Sequence, residues 1–169
     1  MELLDNYLPV NQFRELQSIF LGPNFPWFYN DCINLSTDPG GYQFVHSLYS
    51  TNKGPSSNYY NLVAPIIEKL SPESILIRVK CNLNPRTNDH VVLGGYHTDI
   101  PTTQSLNFKT AIFYLNTNNG YTKFETGEKV QSVENRMLLF YANEKHTGVS
   151  CTDKNRRVVM NINYVEINA

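Results

Sequence analysis

Neither sign of charge dominates this chain. Fourteen basic and 15 acidic residues give a net charge of -1 over 169 residues, and charged residues make up only 17%. A nucleic-acid footprint rests on a basic excess, so no nucleic-acid partner is expected. Cysteine is scarce. Cys32, Cys81 and Cys151 are odd in number and widely spaced, with no Cys-x-x-Cys pair. That argues against a zinc ribbon or a disulfide framework and fits buried, reduced thiols in a cytosolic protein. No apolar run approaches the roughly 18 residues of a membrane span. The opening Met1-Glu-Leu-Leu-Asp5 carries acids where a secretory leader carries bases. A soluble, cytoplasmic protein without membrane contact is expected. Internal repeats and low-complexity linkers are missing too, and nothing sets the oligomeric state.

What is present is a core and many aromatics. Hydrophobic residues reach 41%, and 11 Tyr and 9 Phe favour β-rich packing. The length suits one domain, 1–169. Within it, 1–70 is expected to be a layer of helices and loops supporting a β core over 71–169. A helix is predicted over 11–20, with Phe13, Leu16 and Phe20 on one face, Asn11 as cap and Gly22 as stop. A second is predicted over 58–70, kinked or split by Pro65. Residues 22–29 form a proline-broken aromatic stretch, and 38–41 a turn. Strands are predicted over 75–83, 91–97, 110–115, 121–124, 128–132, 136–141, 146–150 and 157–167. Asn118-Asn119-Gly120 reads as a hairpin turn between two of them. Eight short strands without helices between them suggest a double-sheet jelly roll or a closed barrel, with the helices on one outer face.

Alternation sorts the faces. Along the last strand, Val158, Met160, Ile162 and Tyr164 make an apolar side that should meet the helices. Arg157, Val159, Asn161 and Asn163 point the other way, into the roll. Over 75–83, Arg78, Lys80 and Asn82 alternate with Ile77, Val79, Cys81 and Leu83 in the same manner. An interior this polar is not built for stability alone and is expected to hold a polar ligand.

The segment Gly94-Gly-Tyr-His-Thr-Asp99 bears chemistry. His97 and Asp99 are two apart, so on a strand they share a face, and His146 opens a later strand. Two imidazoles and a carboxylate make the facial triad of non-haem Fe(II) oxygenases, which leaves coordination positions open. Arg157 follows His146 by eleven positions. If its strand runs beside that of His146, its guanidinium can grip a dicarboxylate deeper in the same pocket. Arg156, on the apolar side, competes less well, and Lys80 is a further alternative. His46 and His90 fall in loop-like text as ordinary polar residues. Cys151 would suit zinc, but a closed tetrahedral site leaves no place for oxygen.

On Tyr96-His97-Thr98-Asp99, Ala111-Ile-Phe-Tyr-Leu-Asn116, Gly120-Tyr121, His146-Thr147-Gly148 and Arg157-Val-Val-Met-Asn-Ile-Asn163, the chain resembles the Fe(II)- and 2-oxoglutarate-dependent oxygenases, in particular the prolyl-4-hydroxylase-like branch with its small viral and bacterial members. The resemblance covers about residues 75–165 and implies a mainly β protein with N-terminal helices around a double-stranded β-helix, a jelly-roll or cupin-like core. It also implies Fe(II) on His97, Asp99 and His146, with the C5 carboxylate of 2-oxoglutarate on Arg157. Tyr114 matches a tyrosine that reaches that carboxylate, and Asn161 a small hydrogen-bonding residue beside the cosubstrate. Where relatives carry a tyrosine in the first core strand, this chain has Lys80-Cys-Asn-Leu-Asn84, so Asn82 or Asn84 takes that contact or nothing does. The implied activity is a dioxygenase, with O2 as oxidant and ascorbate as a possible aid. It hydroxylates a substrate C–H bond and releases succinate and CO2.

The substrate expected first is a peptide or protein side chain, prolyl by analogy, with a small molecule such as a metabolite or nucleotide as the other option. Residues 84–92 and 100–109 are expected to rim the pocket, with Arg86, Asp89, His90 and Gln104 as contacts. A cupin-like metal-dependent non-oxygenase and a non-catalytic jelly-roll module are the competing readings.

Overall fold

The computed structural model describes residues 1–34, 41–70, 73–100 and 107–167. Most of the turn expected at 38–41 and the candidate contact Gln104 lie outside these residues, as does most of the expected rim at 100–109.

Along the chain the elements are β1 (Glu2–Leu4), α1 (Val10–Phe20), β2 (Phe28–Asn30), β3 (Gln43–Ser50), β4 (Gly54–Pro55), α2 (Tyr60–Leu70), β5 (Ser74–Pro85), β6 (Val92–His97), β7 (Phe108–Tyr114), β8 (Tyr121–Phe124), β9 (Lys129–Gln131), β10 (Arg136–Tyr141), β11 (His146–Val149) and β12 (Arg156–Glu166). The larger sheet has eight strands in the order β1-β10-β7-β12-β5-β3-β2, with β4 on β3. The smaller sheet runs β6-β11-β8-β9. All pairings are antiparallel. The strands β5 to β12 thus make a double-stranded β-helix whose two sheets face one another.

The core lies between the large sheet and the helices. Phe13, Leu16 and Phe20 of α1 and Val63 and Ile66 of α2 are buried with Val79 and Cys81, Ala111 and Phe113, and Val158, Met160 and Ile162. Phe13 meets Phe113 edge-on with ring centres 5.9 Å apart, a favoured aromatic geometry. The amphipathic spacing of the helices and the pleat of the sheet therefore meet as expected.

Four features depart from the sequence reading. First, 1–70 is not only helix and loop: β1 to β4 all add to the large sheet. Residues 43–50 have strand composition, but the register shifts between Ser47 and Tyr49, and two of the three buried side chains, Gln43 and His46, are polar, which blurs the alternation. Second, Asn118-Asn119-Gly120 does not close a hairpin. β7 and β8 belong to different sheets, and the Asn118 side chain accepts the Gly120 N–H in a local turn that carries the chain across. Turn residues report local backbone geometry, not which strand is paired. Third, of the two outcomes expected at Pro65, the split does not occur: the proline lies inside the single helix α2. Fourth, the cap of α1 is Pro9, without a side-chain hydrogen bond, rather than Asn11.

Candidate metal and cosubstrate site

His97 ends β6 and His146 begins β11, and the two are register partners across that antiparallel pair. Opposed residues on one face bring their side chains side by side, and the two imidazole centres are 4.8 Å apart. Asp99 follows two residues after His97, its backbone N–H tied to the Ala142 carbonyl. One ligand atom from each of His97, Asp99 and His146 lies within 4.8 Å of the others.

The ring nitrogens are already sorted. Nδ1 of His97 lies 3.2 Å from the Gly95 carbonyl, and Nδ1 of His146 lies 3.0 Å from that of Glu144. A carbonyl only accepts, so each Nδ1 carries the proton and each Nε2 is left as a lone-pair donor. Burial lowers the pKa of His146, against the pull of Asp99, and keeps the ring neutral. Burial alone would raise the Asp99 carboxyl. The His146 ring when protonated, the Arg78 guanidinium and the Thr110 hydroxyl outweigh it and hold the group below the usual carboxylate range. Two neutral imidazoles and one ionised carboxylate are the forms a metal takes.

Asp99 is held from the large sheet. Its Oδ2 accepts from Thr110 Oγ1 at 2.8 Å and from Asn163 Nδ2 at 3.1 Å, and its Oδ1 meets Arg78 at 3.3 Å. Arg78 also donates to Asn163. Sequence reasoning put Arg78 and Asn163 on the inward face but gave them no task, because strand pairing was not legible. Asn163 and Thr110 are partners across β12–β7, and Asn163 and Arg78 across β12–β5.

The three ligands open on a cavity of about 430 Å³. Arg157 lies in its depth and is 3% exposed. Its strand does not run beside that of His146: β12 is in the large sheet and β11 in the small one, and Arg157 reaches the same cavity from the facing sheet. Its Nε donates to Ser132 Oγ at 3.0 Å and one Nη to Thr122 Oγ1 at 3.2 Å. Gly120 makes room for it, since a Cβ there would sit 2.9 Å from Arg157 Cδ. No carboxylate forms an ion pair with Arg157 among the described residues. Arg156 turns to the other face and donates to the Leu21 carbonyl.

The remaining candidates divide. Asn82, Asn84, Asn161 and Lys80 line the cavity. Asn82 Oδ1, Asn84 Nδ2 and Asn161 Oδ1 are buried without a hydrogen-bond partner among the described residues. Tyr114 does not line it. It is buried behind the wall, sharing a 2.7 Å hydrogen bond with Thr122 and lying under the Arg157 guanidinium. Arg86, Asp89 and His90 are exposed and do not line the cavity, so 84–92 does not form the expected rim beyond Asn84. The mouth is built instead by Asn30, Cys32, Ile33 and Asn34, which the sequence did not single out. Gly94 has φ +76°, and a Cβ there would meet Ile33 at 2.6 Å, so the glycine lets this segment close on β6. His46 is on β3 rather than in a loop, bonded to Pro26 and Ser57. Cys151 is buried away from the triad and donates to the Lys154 carbonyl.

No family model matches the sequence, and no curated protein matches it. Solved structures do. An oxidoreductase of the 2-oxoglutarate–Fe(II) oxygenase family from Burkholderia pseudomallei aligns with TM-score 0.70 and 8% identity over 99% of this chain and 85% of that one. The viral collagen prolyl hydroxylase of Paramecium Bursaria Chlorella virus-1 aligns with TM-score 0.63 and 11% identity over 98% and 96%. The α-ketoglutarate-dependent epimerase SnoN of nogalamycin biosynthesis aligns with TM-score 0.64 and 13% identity over 97% and 77%. At these identities the likeness carries the fold, and that fold is the double-stranded β-helix of 2-oxoglutarate-dependent oxygenases.

Proposed function

We propose that this chain is an Fe(II)- and 2-oxoglutarate-dependent dioxygenase that hydroxylates a substrate C–H bond. The observation that carries this reading is a pairing within one cavity: a two-histidine, one-carboxylate cluster at one end and a buried guanidinium without an acid at the other. A desolvated cation with no counter-ion is costly on its own and suits an anionic ligand. A dicarboxylate spanning from the triad to Arg157 supplies that counter-ion. The residues fit both groups. His97, Asp99 and His146 would hold Fe(II), and Arg157 would hold the far carboxylate, with Asn84 beside it across the β5–β12 pair. The unpartnered amides of Asn82 and Asn161 lie between the two ends and would complete the cradle. Bound there, Fe(II) and 2-oxoglutarate would supply the oxidising chemistry with O2, the co-products being succinate and CO2 and the product a hydroxylated substrate carbon.

The protein's share is placement. Glu144 and Gly95 fix the imidazole tautomers, Thr110 and Asn163 orient Asp99, and Ser132 and Thr122 aim Arg157. A cupin-like non-oxygenase leaves the buried Arg157 without purpose. The epimerase among the structural neighbours makes the outcome at carbon the point to test. Addition of 2-oxoglutarate to the anaerobic Fe(II) protein is expected to give a visible charge-transfer band, lost in Arg157→Met, and air is expected to release succinate. A fully iron-loaded protein that gives no band refutes the assignment.

A further inference from the structure

Lys80 sits on the cavity wall between two groups whose tasks are already clear. Its partner across the strand pair is Asn161. Toward the depth lie Asn82 with Val159, then Asn84 with Arg157; toward the triad lies Arg78 with Asn163. Arg78 is paired with Asp99. Arg157 faces the far end of the cosubstrate. Lys80 forms no ion pair and no hydrogen bond among the described residues, although burial pushes its pKa down to about 8.

Charge counting gives this weight. Arg78, Lys80 and Arg157 line the cavity, and Asp99 is the only carboxylate among its described lining residues. The two charges of Fe(II) are cancelled by the two of 2-oxoglutarate. Two positive charges then remain on the wall, where Arg157 is buried and Arg78 and Lys80 are half-buried. The wall around Lys80 is rich in amides: Asn161 is its partner across β5–β12, Asn82 lies two residues along β5, and Asn30 and Gln43, partners across β2–β3, also line the cavity. An ammonium among amides recognises anionic oxygens. A prolyl or other uncharged residue inside a peptide chain offers none and would leave the wall uncompensated.

We propose that Lys80 receives an anionic group of the substrate, so that the enzyme oxidises a small acid bearing a carboxylate or phosphate. This rests on the oxygenase reading above and narrows its substrate.

The test uses the full chain, anaerobic, with Fe(II) and saturating 2-oxoglutarate, and follows thermal unfolding and the charge-transfer band together. Acetate and inorganic phosphate are the probes, with acetamide and chloride at equal ionic strength as controls. A ligand that binds only the folded state raises the unfolding temperature saturably. That response is expected with acetate or phosphate and not with acetamide or chloride, and the probe with the lower midpoint identifies the acid. In Lys80→Met the midpoint should rise by about tenfold or more, and Lys80→Arg should restore it.

Equal responses to acetate and acetamide overturn the proposal. So does an unchanged midpoint in Lys80→Met, or a response that comes with loss of the band, which marks displacement of cosubstrate. If Lys80→Met instead weakens 2-oxoglutarate itself about tenfold, Lys80 belongs to the cosubstrate and the proposal falls. A wild-type protein with no band at all defeats the oxygenase reading, and this inference with it.

Discussion

The two faces of β5, β7 and β12 are made from alternate residues of the same strands, yet they carry opposite burdens. Outward, Val79, Cys81, Ala111, Phe113, Val158, Met160 and Ile162 are sealed against the helices. Inward, Arg78, Lys80, Asn82, Asn84, Arg157 and Asn161 line a cavity in which several polar atoms have no protein partner. Since the pleat has a period of two, one side of a strand can hold the fold while the other is left under-satisfied for a ligand. A substitution on the outer face should therefore act on stability alone. One on the inner face should act on binding, and can even stabilise the ligand-free protein.

The sharpest way to break this division is Phe113→Ala. Phe113 is fully buried between Phe13 and Tyr7. Its truncation should cost about 3–5 kcal/mol in urea unfolding, with iron uptake by the folded fraction unchanged; a parallel loss of iron binding would show that the faces are not separable. Asp99→Ala tests the other side. Loss of a metal-supporting partner alone costs roughly 10–100-fold in affinity. Removing the carboxylate should therefore lower Fe(II) affinity by more than about a hundredfold and end succinate release, while circular dichroism stays native. Arg157→Met should raise the 2-oxoglutarate requirement by about tenfold or more, and Arg156→Met should not. The reverse ranking would place the wrong face of β12 inside.

Much of this was legible because alternation is local. The Arg157–Asn163 and Arg78–Asn82 patterns assign faces without knowledge of strand partners, and the predicted β5 to β12 differ from the observed strands by only a few residues at their ends. What depends on pairing was not legible. Thr110, Asn163 and Arg78 meet at Asp99 only because β7, β12 and β5 lie side by side. The same holds for Ser132 and Thr122 around Arg157, which reach it across the gap between sheets. The mouth segment Asn30–Asn34 has no periodicity to read, and its place is set by Gly94 at a distance in sequence. Tyr114 is on the expected strand, and what the sequence does not show is its partner: its hydroxyl shares a hydrogen bond with Thr122, a cavity-wall residue that also bonds Arg157.

The smallest effect is also the most diagnostic of the inner face. Lys80 has its pKa lowered from 10.5 to about 8, chiefly by burial, with Arg78 adding to the shift. Below pH 8 it is charged in both states, and the folded, ligand-free protein bears the full desolvation cost. As pH rises from 8 toward 10.5 the folded state releases the proton first, so the unfolded state binds more protons and stability increases. Above pH 10, Tyr7, whose hydroxyl is pushed up to about 12 by burial, works in the opposite direction. The Cys81 and Cys151 thiols, raised by burial, oppose this gain in the same window but are common to wild type and Lys80→Met. Lys80→Met should therefore be more stable than wild type at pH 7.5, and wild type should recover about 1–3 kcal/mol relative to it between pH 7.5 and 10 in denaturant titrations. If wild type and Lys80→Met show the same slope, the lysine is solvated, and the inner face carries less unbalanced charge than its lining implies.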